Sequence, residues 1–352
     1  MKNARVGIVA LVVLLGAVLL LRGRVHFDFH GLVAEIQHLN YWHVAAGVAL
    51  IYACFWVRSM RWALFLGPLR EGEAKKVTAG EVLGSQFIGF TAVGLFGRLA
   101  DLSRPYLIAK RTGLSVASQV AVYTVERMFD LGSAALIFST AMLFLRRAAM
   151  PHAEGIARLG RGSLLATLAL AVFAVVLRLT GERVAEIARR VFGKVSVKLG
   201  ESVAEKILGF RDGLRVVTGV GEFVYALALS LAMWMLIAEA YVQCVHAFTG
   251  TVALAQMSFA QTMLLMASSV AGSVIQLPVV GWFSQIAVTA GAMVLCFGVA
   301  KEAATACGAV IFAVCSLSVI PVGLIYAQVE RISLKQVAAE SAYAGEPAQV
   351  RR

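Results

Sequence analysis

The sequence predicts an all-α, polytopic membrane protein: a transmembrane helical bundle of about six full spans and two re-entrant hairpins of opposite orientation. Hydrophobic residues make up 60% of the 352 residues and charged residues only 15%, whereas a soluble domain carries about a quarter charged residues. The mean hydropathy is +0.81. Apolar segments recur along the whole chain, and loops bearing Lys and Arg separate them, which is typical of membrane proteins with several spans.

Six apolar segments are predicted to cross the bilayer, which takes roughly 20 residues of helix. They are 6–21, 43–66, 116–145, 163–177, 223–248 and 303–327. The first has no small-residue cleavage site after it, so we expect a retained signal anchor. Between the first two, Leu32, Ile36 and Leu39 recur at helical spacing, which predicts a short amphipathic helix on the membrane surface.

Two further apolar segments are interrupted. Residues 81–96 break at Gly97-Arg98, and the following arm, 99–109, is too short to cross a bilayer at ~1.5 Å per residue. Residues 257–277 and 282–299 flank a break at Pro278-Val279-Val280-Gly281 that contains no Lys or Arg. We interpret both as re-entrant hairpins that enter from opposite faces. Paired broken helices are typical of transporters built from inverted repeats.

The distribution of positive charge predicts the orientation. If the N-terminus is cytoplasmic, the inside segments hold 22 Lys and Arg and the outside segments hold 7, so both termini are expected in the cytoplasm. The net charge of +12 therefore reflects topology, and we expect no nucleic-acid partner. We expect residues 1–335 to form one transmembrane domain that includes a cytoplasmic, basic, amphipathic segment at 178–220. Residues 336–352 are expected to form a disordered polar tail.

Charged residues concentrate in the first hairpin and in the span after it. These candidate site residues are Arg98, Asp101, Arg104, Glu126, Arg127 and Asp130. Each charge at a helix centre costs roughly 2.5–3.5 kcal/mol to insert, but three arginines and three acids compensate one another. Guanidinium groups suit bidentate contact with phosphate. One interpretation is thus a polar cavity that binds an anionic lipid headgroup, and the other is a structural ion-pair cluster that locks the hairpin in place.

A second group of candidates lies elsewhere in the predicted membrane segments. These are Arg58, Arg61, Glu239, Pro278, Gly281 and Gln285. The two arginines stand three apart near a helix end, where anchoring by snorkelling side chains is the favoured interpretation. Glu239 would either pair with a cluster arginine or act as a proton site. The residues of the second break would serve either close helix packing or a polar lining.

The chain lacks the common cofactor and catalytic motifs. It has no P-loop, no Cys-x-x-Cys pair, no His-Glu-x-x-His and no Gly-x-Ser-x-Gly. His26, Asp28 and His30 alternate like metal ligands on a strand, but no fourth ligand accompanies them. We therefore expect neither a metal nor another cofactor, and no catalytic residue is assigned.

Three motifs together resemble the lysylphosphatidylglycerol synthase transmembrane region family. They are Arg58-Ser-Met-Arg61-Trp62, Gly97-Arg98-Leu-Ala-Asp101-Leu-Ser-Arg104-Pro105 and Val125-Glu126-Arg127-Met-Phe-Asp130. The resemblance covers about residues 1–330. The family usually has Gly-Glu where this chain has Ala100-Asp101, and it favours a glutamate near the position of Gln285.

The resemblance implies a flippase-like protein of the bacterial inner membrane that moves an anionic or glycosylated lipid between leaflets. Membrane lipid would be its partner. Longer relatives carry a soluble aminoacyl-transferase domain, so a separate lipid-modifying enzyme is a second expected partner. Two alternatives stay open. One is a membrane-embedded transferase, which needs an activated nucleophile or a metal cluster. The other is a scaffold for a lipid-modifying enzyme, which would use the basic surface at 178–220.

Overall fold

The structure, a computed structural model, describes residues 28–70, 77–144, 153–194, 196–197, 200–204, 219–273 and 280–344. Within these residues the regular structure is helical and contains no strand, as the sequence predicted. The predicted first span, 6–21, and Pro278 and Val279 of the second break lie outside the described residues.

The helices follow the predicted apolar segments closely. In the first half they are α1 Phe29–Gln37, α2 Tyr41–Leu66, α3 Ala79–Phe96, α4 Ser103–Thr112, α5 Val116–Leu143 and α6 Ala153–Gly193. In the second half they are α7 Val220–His246, α8 Val252–Ala255, α9 Phe259–Gly272, α10 Val280–Phe297, α11 Lys301–Phe312, α12 Val319–Val329 and α13 Leu334–Ala344. A single π turn, Ala313–Leu317, joins α11 to α12.

Polar caps fix where several of these apolar helices begin. The side chain of Asn40 accepts the Trp42 N–H at the start of α2. Thr78 forms a capping box with Glu81 at the start of α3, and a serine and a glutamine form the equivalent box at the start of α9. Such caps satisfy backbone N–H groups that have no partner within the helix, which matters most where the surroundings are apolar.

Four described helical segments are long and apolar enough to cross a bilayer. They are Tyr41–Leu69, Ala79–Phe96, Val220–His246 and Lys301–Val329. Helix α5 is ~42 Å long at 1.5 Å per residue, but it carries the charged residues discussed below. The predicted span 163–177 lies within α6, which kinks at Thr180 (φ −125°, ψ 17°). The described chain is thus a helical bundle with several candidate membrane spans.

Two antiparallel helix pairs each have a closed end, where the chain turns from one helix to the next, and an open end away from that turn. The two open ends lie at opposite ends of the bundle. In the pair α3–α4, the chain turns at Gly97, whose φ of 65° favours glycine. The pair α9–α10 is held at its closed end by the Ser284 hydroxyl, which donates to the Gly272 carbonyl at 2.9 Å. The open end of α3–α4 lies near the end of α2, whereas that of α9–α10 lies near the start of α2, beside the end of α7.

The first and last helices of the described chain pack against this core. Helix α1 is the predicted short helix, and it lies against α11. At the other end of the chain, part of the expected disordered tail is helix α13, whose Val337, Ala338 and Ser341 are buried. Tyr106 of α4 donates a hydrogen bond to Glu340 of α13. The expectation of disorder is therefore wrong for 336–344, because small and apolar residues recur there at helical spacing; residues 345–352 lie outside the described chain.

Small residues allow α12 to approach α3 closely. A Cβ atom added at Gly323 would lie 2.0 Å from Thr91 Oγ1 and 2.6 Å from the Phe87 carbonyl oxygen. Because a backbone oxygen cannot move aside as a side chain can, any larger residue forces the helices apart. This contact has the small-residue character typical of packing between membrane helices.

We predict that Gly323→Val destabilises the protein by at least the 1–3 kcal/mol typical of overpacking. The measurement is the midpoint of thermal unfolding in detergent, which should fall. Gly291→Ala is the control, since no atom lies within 4 Å of the added Cβ, and its midpoint should stay the same or rise because alanine favours helix. An unchanged midpoint for Gly323→Val would contradict the packing assigned to α3 and α12.

Candidate functional site

Two carboxylates on α5 form the centre of a buried ion cluster. Glu126 and Asp130 are four residues apart, so they share one face of the helix. Arginines from α2, α4 and α5 converge on them. We define the ion cluster as Arg58, Arg61, Arg104, Glu126, Arg127 and Asp130.

Each arginine of the ion cluster reaches a carboxylate oxygen. Glu126 Oε1 accepts from Arg58 Nη1 at 2.9 Å and from Arg61 Nη2 at 3.1 Å, while its Oε2 accepts from Arg104 Nη1 at 3.0 Å. Asp130 Oδ1 accepts from Arg61 Nη2 at 2.6 Å, and its Oδ2 lies 3.0 Å from Arg127 Nη2. A carboxylate pair thus links three separate helices.

The ion cluster lies well inside the bundle. Glu126 is 1% exposed and Arg61 is 1% exposed, whereas the Arg127 side chain is 39% exposed. Counting 1.5 Å per residue from the nearest helix ends, Arg58 is ~12 Å and Glu126 ~15 Å along their helices. This depth places the charges away from water if the bundle spans a bilayer.

Neutral side chains complete the surroundings of the arginines. Arg104 Nη1 donates to Gln86 Oε1 of α3 at 3.0 Å, and Arg61 Nη1 donates to Ser230 Oγ of α7 at 2.7 Å. The Arg104 guanidinium also lies over the rings of Phe90 and Tyr123, at 4.6 and 5.1 Å from the centroids. Such cation–π contacts stabilise an arginine away from water.

Gly89 is what allows Arg104 to occupy this position. A Cβ atom there would lie 2.1 Å from Arg104 Cγ, and the Ser103 hydroxyl donates to the Gly89 carbonyl at 3.3 Å. The glycine-rich character of the first arm therefore brings the second arm, and its arginine, within reach of α5.

Positive charge exceeds negative charge in the described ion pairs. Four guanidinium groups meet two carboxylates. The Nε atoms of Arg58 and Arg61 are buried and have no hydrogen-bond partner. Because the excess charge in these ion pairs is positive, this arrangement favours an added anion more than an added cation.

A cavity of about 360 Å³ adjoins the ion cluster, and Arg58 reaches it. Its walls come from α2, α3, α7, α9, α10 and the π turn, and they are mainly apolar. The closed ends of both helix pairs contribute, with Gly94 and Gly97 from the first and Ser273 and Gly281 from the second. We call this space the hairpin cavity. Arg58 is the charged residue among its described lining side chains.

Polar groups stand on the second helix pair and on α7 around the same cavity. Tyr241 donates through its hydroxyl to Ser269 Oγ at 2.9 Å, and Gln285 donates through Nε2 to the same atom at 2.9 Å. Trp234 also lines the cavity, and its indole N–H is buried without a hydrogen-bond partner among the described residues. The cavity therefore combines apolar walls with a few polar groups, as small-molecule sites commonly do.

The ion cluster contains four of the six main candidate residues and two of the secondary ones. Arg104, Glu126, Arg127 and Asp130 meet in the ion cluster. Asp101 is half-buried, and the Arg98 side chain lies outside the described part of the chain.

The snorkelling interpretation of Arg58 and Arg61 is wrong, because both side chains are buried and paired with the α5 carboxylates. Their location in the cluster depends on how α2 packs on α5, which spacing along α2 alone does not show.

The remaining candidates divide between the cavity and another region. Gly281 and Gln285 line the hairpin cavity, whereas Pro278 lies outside the described residues. Glu239 Oε1 accepts from Gln243 Nε2 at 2.7 Å, and Gln243 Oε1 lies 2.6 Å from His43 Nδ1. Among the described residues, Glu239 thus bonds to Gln243 of its own helix, and Gln243 in turn contacts His43 of α2.

Sequence reasoning did not single out several residues of this region. Trp234, Tyr241 and the π turn residues Cys315 and Ser316 line the cavity, and Gln86 contacts Arg104. A polar glutamine in a glycine-rich apolar arm was a usable signal for Gln86. The π turn has no comparable sequence signature.

We predict that Glu126→Gln destabilises the protein by ~3–5 kcal/mol, since removing one partner of a buried ion pair leaves uncompensated charge. Here four guanidinium groups would face one carboxylate. The measurement is the thermal unfolding midpoint in detergent. Glu186→Gln is the matched control, because Glu186 pairs with Arg189 and Arg190 on the exposed surface, and its midpoint should not move. Equal midpoints for the two variants would show that the cluster contributes nothing to folding.

Comparison with known proteins identifies the family of this chain. A search of curated proteins found no match to this chain. The family described as Lysylphosphatidylglycerol synthase TM region matches residues 7–323, a range that includes α1 to α11, the whole ion cluster and the hairpin cavity. The chain therefore belongs to the lysylphosphatidylglycerol synthase transmembrane region family.

Proposed function

We propose that this protein is a lipid translocase of the bacterial inner membrane that moves an anionic or glycosylated lipid between leaflets. The observation that supports this most directly is the contact between a buried, arginine-rich cluster and a mainly apolar cavity. An anionic headgroup needs positive charge at depth, and acyl chains need apolar surroundings. The hairpin cavity offers both within one bundle.

The two helix pairs supply the second argument. They have open ends at opposite ends of the bundle and closed ends at one cavity, which is the arrangement that places a transporter site near the bilayer midplane. In this proposal both pairs are re-entrant. A cavity bounded by two such closed ends can open to either side when one pair shifts, without exposing both sides at once.

The cavity's size fits a headgroup better than a whole lipid. A volume of about 360 Å³ lies at the lower end of the range for small-molecule sites. The headgroup would therefore occupy the cavity while its acyl chains stay in the bilayer. Many exposed apolar residues on the outer helix surfaces, such as Leu131 and Leu295, suit contact with those chains.

We predict that Arg58→Ala lowers transport at least about tenfold, because charge-assisted hydrogen bonds contribute roughly 1.5–3 kcal/mol and Arg58 is the cluster arginine that lines the cavity. The measurement is the rate at which an acyl-labelled anionic lipid becomes accessible to an external quencher in proteoliposomes. The variant keeps three arginines against two carboxylates, so it should fold, and its unfolding midpoint checks this.

Two further variants serve as controls for the transport measurement. Arg58→Lys keeps the charge but loses the Nε donor, and it should retain part of the rate. Arg189→Ala, on the exposed end of α6, should transport like the native protein. Transport by the native chain no faster than leakage in protein-free vesicles would reject the function. The two remaining functions would then be the membrane-embedded transferase and the scaffold. Formation of a lipid product by the purified chain would support the transferase, and co-purification of a lipid-modifying enzyme would support the scaffold.

The proposed orientation has both termini in the cytoplasm, as the charge bias predicts. Green fluorescent protein fused after Arg352 should fluoresce, since that reporter folds on the cytoplasmic side. Alkaline phosphatase fused after Gly250, between α7 and α8, should be active because that turn is expected outside. The reverse pattern in the two fusions would invert the assigned topology.

A further inference from the structure

We propose that the part of α6 beyond its kink, residues 181–193, lies in the membrane interface and binds the anionic headgroups of one leaflet through a stripe of basic side chains. This surface is separate from the ion cluster and from the hairpin cavity. It goes beyond the proposed function, because it would bind lipid whether or not the chain moves lipid. The length of α6, its exposed apolar side chains and the order of its faces support the proposal.

Helix α6 is too long to lie wholly within a bilayer. Its 41 residues extend ~62 Å at 1.5 Å per residue, about twice the ~30 Å thickness of the hydrocarbon core. The apolar segment 163–177 ends at Arg178, and the helix kinks at Thr180. The ~20 Å of helix after the kink therefore starts where the predicted span ends, a position from which it can lie along the membrane surface.

Apolar side chains are exposed on one side of this segment. The exposed fractions are 60% for Ile187 and 55% for Val191, and these residues are four apart, so they share one side of the helix. We call this pair the apolar flank. The small residues Gly181, Ala185 and Ala188 are buried and face the rest of the protein. An exposed apolar flank on a helix with charged faces is typical of helices that lie in the membrane interface.

Charged side chains are sorted around the same helix. We define the basic stripe as the exposed residues Arg183, Arg190 and Lys194. At 100° per residue these three fall within about 40° of one another and directly beside Ile187. Glu182 and Glu186 fall on the far side of the basic stripe. The order around the helix is therefore protein, apolar flank, basic stripe and acids, which matches the order of acyl chains, phosphate headgroups and water outward through a leaflet.

An anionic lipid surface suits the basic stripe better than an acidic protein does. Lipid surrounds the predicted span that leads into this segment, so headgroups reach the stripe without a further partner. In the described part of the chain Arg183 and Lys194 form no ion pair, while Arg190 shares Glu186 with Arg189. The orientation predicted from the charge bias places the stripe at the cytoplasmic leaflet, whose surface potential is negative.

Spin labels on the two sides of the basic stripe test where this segment lies. Ile187→Cys and Glu182→Cys each carry a nitroxide label in bilayers of phosphatidylcholine and phosphatidylglycerol, and the native chain, treated in the same way, gives the background from its own cysteines. We expect oxygen, which dissolves in lipid, to relax the label at position 187 more strongly. A water-soluble nickel complex should relax the label at position 182 more strongly. Equal or reversed access to the two labels would overturn the inference.

The enrichment of anionic lipid beside the helix tests the basic stripe. A fluorophore on Ile187→Cys is quenched in turn by trace acyl-labelled phosphatidylglycerol and phosphatidylcholine, and the ratio of quenching gives the local enrichment. One basic residue at an anionic surface changes binding about fivefold, so Arg183→Gln combined with Lys194→Gln should lower the enrichment at least about fivefold. Lys301→Gln combined with Lys335→Gln is the matched control, because it removes the same charge at exposed positions elsewhere, and its enrichment should equal that of the native chain.

Salt provides an independent check on the same reporter. The Debye length falls from ~10 Å at 0.1 M to ~3 Å at 1 M salt, so high salt should lower the native enrichment toward that of the variant lacking Arg183 and Lys194. Enrichment that is unchanged in this variant, or that falls equally in the control, would overturn the assignment of the basic stripe. Enrichment by the native chain without movement of lipid between leaflets would keep this surface and reject the proposed function alone.

Discussion

The compensation of charge within an apolar bundle is the constraint on which the rest of this structure depends. An isolated charge at the centre of a membrane helix costs several kcal/mol, and Glu126 can be there because guanidinium groups from other helices reach it. This requirement links helices that are distant in sequence. The α5 carboxylates need α2 and α4 in place, and α4 in turn needs the turn at Gly97 that folds it back along α3. Electrostatics and topology therefore constrain each other.

Close backbone approach makes that compensation geometrically possible. At Gly89 the absence of a side chain leaves room for the stem of Arg104, and at Gly323 it brings α12 against the other side of α3. Helix α3 thus packs tightly on two faces while its end contributes to the cavity. The small residues and the buried charges are parts of one arrangement, since an arginine can pair across helices only when their axes are near each other.

The sequence predicted the parts of this fold that depend on local pattern. Hydropathy located the described spans, and the glycine break at 97–98 lies where the chain turns. Opposite charges within apolar segments indicated that Arg104 and Glu126 would meet, which the 3.0 Å contact confirms. Features that depend on packing between distant segments could not be predicted from local pattern. Arg58 looked like a surface anchor because its partners are on α5, and 336–344 looked like part of a polar tail because the apolar face of this segment is short.

The π turn between α11 and α12 has a consequence for the relative rotation of these two helices. One additional residue per turn rotates everything that follows by ~100° relative to an uninterrupted α-helix with 3.6 residues per turn. Gly308 before the turn meets the α10 backbone near Ile286, and Gly323 after it meets α3. The extra residue thus sets the angle between the face of this long span that packs on α10 and the face that packs on α3.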